Sequence, residues 1–191
     1  MKALEQKILK EGTVLPGGVL KVGSFLNQQI DTHFLKEIGE EIARLFAGEG
    51  ATRVLTVEAS GIAIGVAAAT ALGLPVVFAK KNKSANMSGD TYSSVVHSFT
   101  HGTDNHIVVT REYLPAGEKV LIVDDFLAHG SALNGMISIV EEAGCEVVGC
   151  CAVIEKGFQH GGDSIREKGY RVESLAIIDE MTEFGIVFRE Q

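Results

Sequence analysis

The chain is poor in cross-linking residues and in positive charge. It has three cysteines, Cys145, Cys150 and Cys151, and two of them are adjacent, a pairing that disulfide geometry disfavours. Cys-x-x-Cys and Cys/His zinc spacings are missing, so neither a disulfide framework nor a structural zinc site is expected. The setting reads as reducing and cytoplasmic. Lysine and arginine number 17 against 25 aspartate and glutamate, a net charge of −8. That balance argues against a general nucleic-acid binder, which carries a basic excess or patch. A Walker A loop and a dinucleotide-type Gly-x-Gly-x-x-Gly are also missing. Residues 1–7, MKALEQK, have no apolar core of a signal peptide. One uncharged stretch, residues 61–79, is long enough to cross a bilayer. Gly73-Leu74-Pro75 breaks it, so a buried helix over 62–72 followed by a buried strand over 76–79 explains it better, and no membrane partner is expected.

What is present suits one α/β domain. A length of 191 residues with 46% apolar and 22% charged residues is globular and long enough for a sizeable core. Leu4, Ile8 and Leu9 mark a weak first helix that ends at Gly12, and Leu15-Pro16-Gly17-Gly18 reads as a turn. A stronger helix runs from an N-cap at Asp31 to Ala47, with Phe34, Leu35, Ile38, Ile42, Leu45 and Phe46 on one stripe. Strand and helix then alternate: strands at 54–57, 76–79, 120–123, 147–154 and 172–178, with helices at 62–72, around Leu133–Val140 and at 163–168. Continuous apolar strands between amphipathic helices predict a mostly parallel sheet covered on both faces. Between Lys80 and Leu114 the pattern lapses into a polar segment, followed by a hairpin of 93–100 and 107–111 turning at 101–105. A polar insertion of this kind in a compact fold is more often functional than accidental.

The chemically informative run is Val120-Leu121-Ile122-Val123-Asp124-Asp125-Phe126-Leu127-Ala128-His129-Gly130-Ser131-Ala132-Leu133. A buried strand ends in two acids, and a short loop with Gly and Ser opens the next helix. In open α/β sheets ligands sit beyond the carboxyl ends of strands, where helix N-termini offer free N–H groups to an anion. Small side chains at Ala128, His129-flanked Gly130, Ser131 and Ala132 let the backbone approach a phosphate, and the Ser131 hydroxyl adds a donor. Asp124 and Asp125 cannot hold that phosphate. They suit vicinal ribose hydroxyls or a hydrated Mg²⁺. The run therefore points to a sugar phosphate; the competing reading is an acidic pair that only caps a helix.

This segment resembles the phosphoribosyl-pyrophosphate (PRPP) signature of the type I phosphoribosyltransferases, and the likeness extends along the chain, most to the bacterial xanthine-using subfamily. It implies that fold, with residues 1–50 as N-terminal helices and a hood over the base, and 51–191 as the PRPP-binding core. His129 and Ser131 depart from the residues many members carry there, which leaves the backbone N–H argument intact. The resemblance implies displacement of pyrophosphate from C1 of PRPP by a purine ring nitrogen, with Asp124 and Asp125 as the catalytic pair on the sugar. It places pyrophosphate on Ser60 and Gly61, within Glu58-Ala59-Ser60-Gly61-Ile62, with Lys81 a candidate cation beside Lys80. Mg²⁺ enters with PRPP, and no direct protein metal ligand is implied. Ser60 equally suits a helix N-cap, and the lysine pair equally suits a solvated face. The polar segment fits a lid anchored near Tyr92 and Ser93.

The base is implied to sit against Glu155-Lys156-Gly157-Phe158, with Lys156 donating to a carbonyl at C2 and Phe158 stacking. In the hood, Leu20 lies against the ring and Asn27 reads polar edges. Xanthine carries that carbonyl, so the expected reaction converts xanthine and PRPP to xanthosine 5′-monophosphate and pyrophosphate in a cytoplasmic homodimer. The alternatives are a transferase for hypoxanthine/guanine, adenine or orotate, and a non-catalytic PRPP-sensing regulator; a regulator of that type needs a further DNA-binding domain, for which too few residues precede the first sheet strand. His97, His101 and His106 lie close in sequence, but strand and turn spacing disfavours a metal site. His160-Gly161-Gly162-Asp163 reads as a loop end with Asp163 capping a short helix. The sequence leaves open whether the turn at 58–61 contains a cis peptide.

Overall fold

The computed structural model describes residues 1–81, 90–98, 103–182 and 184–190. Residues 82–89 of the expected lid, and residues 99–102 of the expected hairpin, which end its first strand and begin its turn at His101, lie outside them. Helix α1 (Lys2–Glu11) leads into a small antiparallel hairpin, β1 (Thr13–Leu15) and β2 (Val19–Lys21), whose tip uses Gly17 and Gly18 at φ +80° and +71°. A single π-helical turn, Gly23–Asn27, follows before α2 (Thr32–Phe46). The remainder alternates β3 (Arg53–Val57), α3 (Gly61–Leu72), β4 (Val76–Lys81), the hairpin β5 (Thr91–Ser98) and β6 (Thr103–Thr110), β7 (Lys119–Leu127), α4 (Ser131–Glu142), β8 (Glu146–Lys156), α5 (Gly161–Glu167), β9 (Val172–Thr182) and β10 (Gly185–Phe188).

Eight strands form the main sheet in the order β10-β9-β8-β7-β3-β4-β6-β5. The central five, β9 through β4, are parallel, and antiparallel strands flank them on both sides. The expected mostly parallel architecture is therefore present. Helices cover both faces, because the inner strands are apolar on both sides. One core joins Leu4, Ile8, Phe25, Ile38, Ile42, Phe46 and Ile64 to Leu121, Val123, Val153 and Leu175. The other packs Leu133, Met136 and Val140 of α4 and Ile165 of α5 against Leu55, Ile122, Cys150 and Ala152.

Several boundaries differ from expectation for physical reasons. Strand β7 does not stop at Val123; its ladder to β8 continues through Asp124↔Ala152 to Leu127↔Glu155, so both acids are strand residues. Strands β8 and β9 likewise run past their apolar stretches, to Lys156 and Thr182. Strand β6 begins at Thr103, which places residues 103–105 in the ladder rather than in the turn. Asp31 accepts a hydrogen bond from the Phe34 N–H at 3.1 Å, as an N-cap should. Helix α5 starts at Gly161 behind His160 at φ +58°; Asp163 lies inside it and pairs with His160 instead of capping. The uncharged stretch at 61–79 is helix α3, closed by Gly73 at φ +70°, and then β4, but both are buried on one side only: Val66 and Phe78 are 46% and 39% exposed. No helix among the described residues is long and apolar enough to cross a membrane. All three cysteines are free; burial holds the Cys150 thiol up to about 12.

Candidate active site

A cavity of about 560 Å³ opens at the carboxyl ends of β3, β4, β7 and β8. Its lining includes Ser60, Lys81, Asp124, Asp125, Ala128, His129, Gly130, Ser131, Ala132 and Lys156, so most of the residues singled out from the sequence meet here. The parallel register brings them together, since the five central strands, β9 through β4, all end on the same side.

The acid pair sits on the cavity floor. Asp124 and Asp125 are 5% and 7% exposed. The Asp125 N–H donates to Asp124 Oδ1 at 2.9 Å. Burial, then the charge of Asp125, hold the Asp124 carboxyl well above its ordinary range, and the positive charge of Lys81 opposes them. Asp125 instead meets the hood: Asn27 Nδ2 donates to its Oδ2 at 3.2 Å.

The loop after β7 lines the cavity with residues 128–130. Gly130, at φ +82°, precedes the first turn of α4; no side chain caps that helix, and its first residues, Ser131, Ala132 and Leu133, line the cavity. Across the cavity, Ser60 precedes α3 without a side-chain cap bond, which removes the N-cap explanation of that serine. The peptide between Glu58 and Ala59 is cis. Gly61 does not line the cavity; it packs where a Cβ would collide with Thr56 Oγ1 and lie 3.1 Å from Asp124 Oδ1. Lys81 ends β4, and its N–H donates to Glu58 Oε1 at 2.7 Å.

The expected base readers are not gathered in one hollow. Lys156 faces the cavity, its Nζ donating to the Gly18 carbonyl at 2.8 Å and lying 5.8 Å from the Phe126 ring centre, and burial lowers its pKa. Leu20, at 6% exposed, points into the core from β2, and with Asn27 it lines a neighbouring hollow of about 420 Å³. Phe158 packs by the Gly18 turn and the core instead of lining the cavity. Alternation explains the first displacement, because only the middle residue of a three-residue strand faces inward here. Tyr92 is buried beneath the Arg111 guanidinium at 4.2 Å, which makes it hairpin packing.

Sequence reasoning missed Gly17, Gly18 and Val19 of the hood hairpin, Glu58, and Gln159, all of which line the cavity. The Gln159 Oε1 atom is buried without a hydrogen-bond partner. Only Gln159, next to the Lys156 run, and Glu58, within the Ser60 run, carried a signal that could have found them. No group of three His, Cys, Asp or Glu able to hold a metal occurs among the described residues.

The phosphoribosyl transferase domain family matches residues 27–191. The chain belongs to the phosphoribosyltransferase family. Among its relatives is a xanthine phosphoribosyltransferase 1 of Clostridium perfringens, 52% identical over 99% of this chain and 100% of that protein. A xanthine phosphoribosyltransferase of Lactobacillus delbrueckii subsp. bulgaricus is 49% identical over 98% and 100%. Solved phosphoribosyltransferases share the fold at low identity. The adenine enzyme of Giardia lamblia has TM-score 0.75 at 19% identity, covering 93% of this chain and 98% of its own. That of Leishmania tarentolae has TM-score 0.75 at 22%, covering 95% and 90%.

Proposed function

We propose that this chain transfers the 5-phosphoribosyl group of PRPP to xanthine, giving xanthosine 5′-monophosphate and pyrophosphate. The observation that carries the reading is the single cavity shared by the acid pair, the uncapped helix start after Gly130 and the Lys156 ammonium. The relatives named above, both xanthine phosphoribosyltransferases over nearly their whole length, support xanthine over other bases.

In this reading the backbone N–H groups of 128–132, with the Ser131 hydroxyl, hold the 5′-phosphate, and Asp124 and Asp125 accept hydrogen bonds from the ribose hydroxyls. Ser60 and Lys81, which line the cavity, receive the pyrophosphate, with Gly61 packed behind them against Thr56 and Asp124. A purine ring nitrogen forms a bond to C1 as the C1–oxygen bond to pyrophosphate breaks, and the ring nitrogen's proton passes to the departing pyrophosphate. The centre passes through an oxocarbenium-like state, so positioning and exclusion of water do most of the catalysis. Lys156, which lines the cavity, donates to the C2 carbonyl, and Asn27 reads a polar edge of the base, with Leu20 and Phe158 packed behind the hood hairpin. Two adjacent carboxylates at the cavity floor fit a Mg²⁺ that keeps its waters and arrives with PRPP. Mg²⁺, when bound, offsets pyrophosphate charge. A cytoplasmic homodimer is part of the same proposal.

A competition assay tests it. The purified chain, PRPP and Mg²⁺ are incubated with xanthine, hypoxanthine, guanine, adenine and orotate together, and products are separated by chromatography. Xanthosine 5′-monophosphate is expected as the dominant nucleotide. Formation of another nucleotide in its place overturns the base assignment, and formation of none, with PRPP still bound, turns the reading toward a PRPP sensor.

A further inference from the structure

The end of β8 holds a buried carboxylate that the reaction above does not use. The Glu155 side chain is 1% exposed. It accepts two parallel hydrogen bonds from Arg166, Nη1 to Oε1 at 2.9 Å and Nη2 to Oε2 at 2.7 Å, and a third from Ser174 Oγ at 2.6 Å. Such a fork is the strongest and most directional form of the ion pair, and a charge buried this deeply is costly unless so matched. The Arg166 Nε–H also donates to the Val172 carbonyl at 3.2 Å, which ties the guanidinium to the start of β9.

Arg166 belongs to α5, a helix of only seven residues. A helix that short has little stability of its own and depends on its anchors. Its first two residues are glycines in close approach on two sides. At Gly162 a Cβ would collide with Glu155 Oε1 and come within 2.6 Å of its Cδ. At Gly161 a Cβ would collide with the Ala128 carbonyl oxygen and lie 2.5 Å from the Gly130 nitrogen. One helix start is thus wedged between the buried carboxylate and the 128–130 backbone. The next residue of β8, Lys156, faces the opposite way, to Gly18 and the cavity.

We propose that Glu155 is a positioning residue for the phosphate-binding loop: its fork to Arg166 seats α5, and Gly161 of α5 sets the backbone of 128–130 on which the anion is held. This rests on the reading of 128–132 as the phosphate loop. Glu155 touches no substrate; it acts through α5.

The test uses the full chain as wild type, Glu155→Gln, Gly161→Ala and Arg166→Lys. Ribose 5-phosphate binding is measured by calorimetry, and KM for PRPP and for xanthine by steady-state kinetics. Glu155→Gln and Gly161→Ala are expected to weaken ribose 5-phosphate binding and raise KM for PRPP by about 10-fold to 100-fold, the scale set by sub-ångström misplacement of a binding group. KM for xanthine at saturating PRPP stays close to wild type. Arg166→Lys keeps the charge but not the fork and shows a smaller effect of the same kind. If the variants melt earlier but keep wild-type affinity for ribose 5-phosphate and PRPP, the network is structural only and the proposal falls. Should Glu155→Gln fail to fold, the other two variants decide by the same readouts. A wild type that turns over PRPP but ignores ribose 5-phosphate overturns the loop assignment, and this proposal with it. Retained affinity in the variants beside a binding wild type overturns this proposal alone.

Discussion

At the scale of single residues, Asp124 shows stability given up for binding. Its carboxyl is buried on β7 beside a second acid, and both effects push its pKa well above the ordinary 3.8. The sign of the linkage follows. The native state keeps a proton that the unfolded chain has lost, so the residue's favourable contribution is present below about 3.8 and is lost as pH rises toward the raised value. An amide of the same shape carries no such dependence. Asp124→Asn is therefore expected to raise Tm by about 2–4 °C near neutral pH, the shift that about 1 kcal/mol makes in a chain of this size. The gain should shrink as pH approaches about 4. The same variant should raise KM for PRPP by about 5-fold, since a hydrogen bond of about 1 kcal/mol to the ribose is lost. Calorimetry at several pH values together with steady-state kinetics checks both halves; a lower Tm at neutral pH would contradict the electrostatic account. The acid pair, the small-residue loop and Lys156 were legible in the sequence because each stands in a short run with its own chemistry. Leu20 and Phe158 were not, because whether a residue faces a cavity or the core is decided by partners far along the chain.

At the scale of elements, close approach decides more than helix propensity. Helices α2 and α3 touch through Gly39, where a Cβ would lie 2.6 Å from the carbonyl carbon and oxygen of Ala67 and 2.9 Å from its Cβ. Backbone atoms cannot move aside as a side-chain tip can. Gly39→Ala should improve helix propensity, yet it is expected to destabilise the fold by about 1–3 kcal/mol, because overpacking outweighs a gain of at most about 1 kcal/mol. Urea unfolding checks this, and kcat per folded molecule should be unchanged because Gly39 does not line the cavity. Long periodic elements such as α2 and α4, and the apolar centres of β3, β7 and β8, were readable from their spacing. The three-residue strands β1 and β2, the π-turn that ends at Asn27, and β10 were not. They are too short to show a period, and pairing partners supply their hydrogen bonds. The same reason lets β7 continue through two aspartates that β propensity disfavours: β8 offers the ladder.

At the scale of the whole molecule, the N-terminal fifty residues and the remainder share one core. Leu4, Ile8, Leu20, Phe25 and Leu26 belong to the same buried cluster as Val153, Leu175 and Ile178 of the central sheet. Polar ties cross the same boundary: the N-terminal amine to the Leu175 carbonyl, Asn27 to Asp125, and Lys156 to the Gly18 carbonyl. Unfolding the hood alone would expose its own apolar face and the sheet face beneath it, so partial unfolding gains little chain entropy for much lost burial. A chain of net charge −8 that binds a polyanion makes the coupling useful, because attraction must come from local N–H groups and from Lys81 and Lys156, and the hood holds Lys156 in place through the Gly18 carbonyl. The expected result is one heat-capacity peak with equal calorimetric and van't Hoff enthalpies, matched by circular dichroism. PRPP at about 100 times its Kd should move that peak upward as a unit, by the about 2.7 kcal/mol that mass action supplies. A separate low-temperature transition, removed by deleting the hood and insensitive to PRPP, would show two independent units and end the case for a single domain.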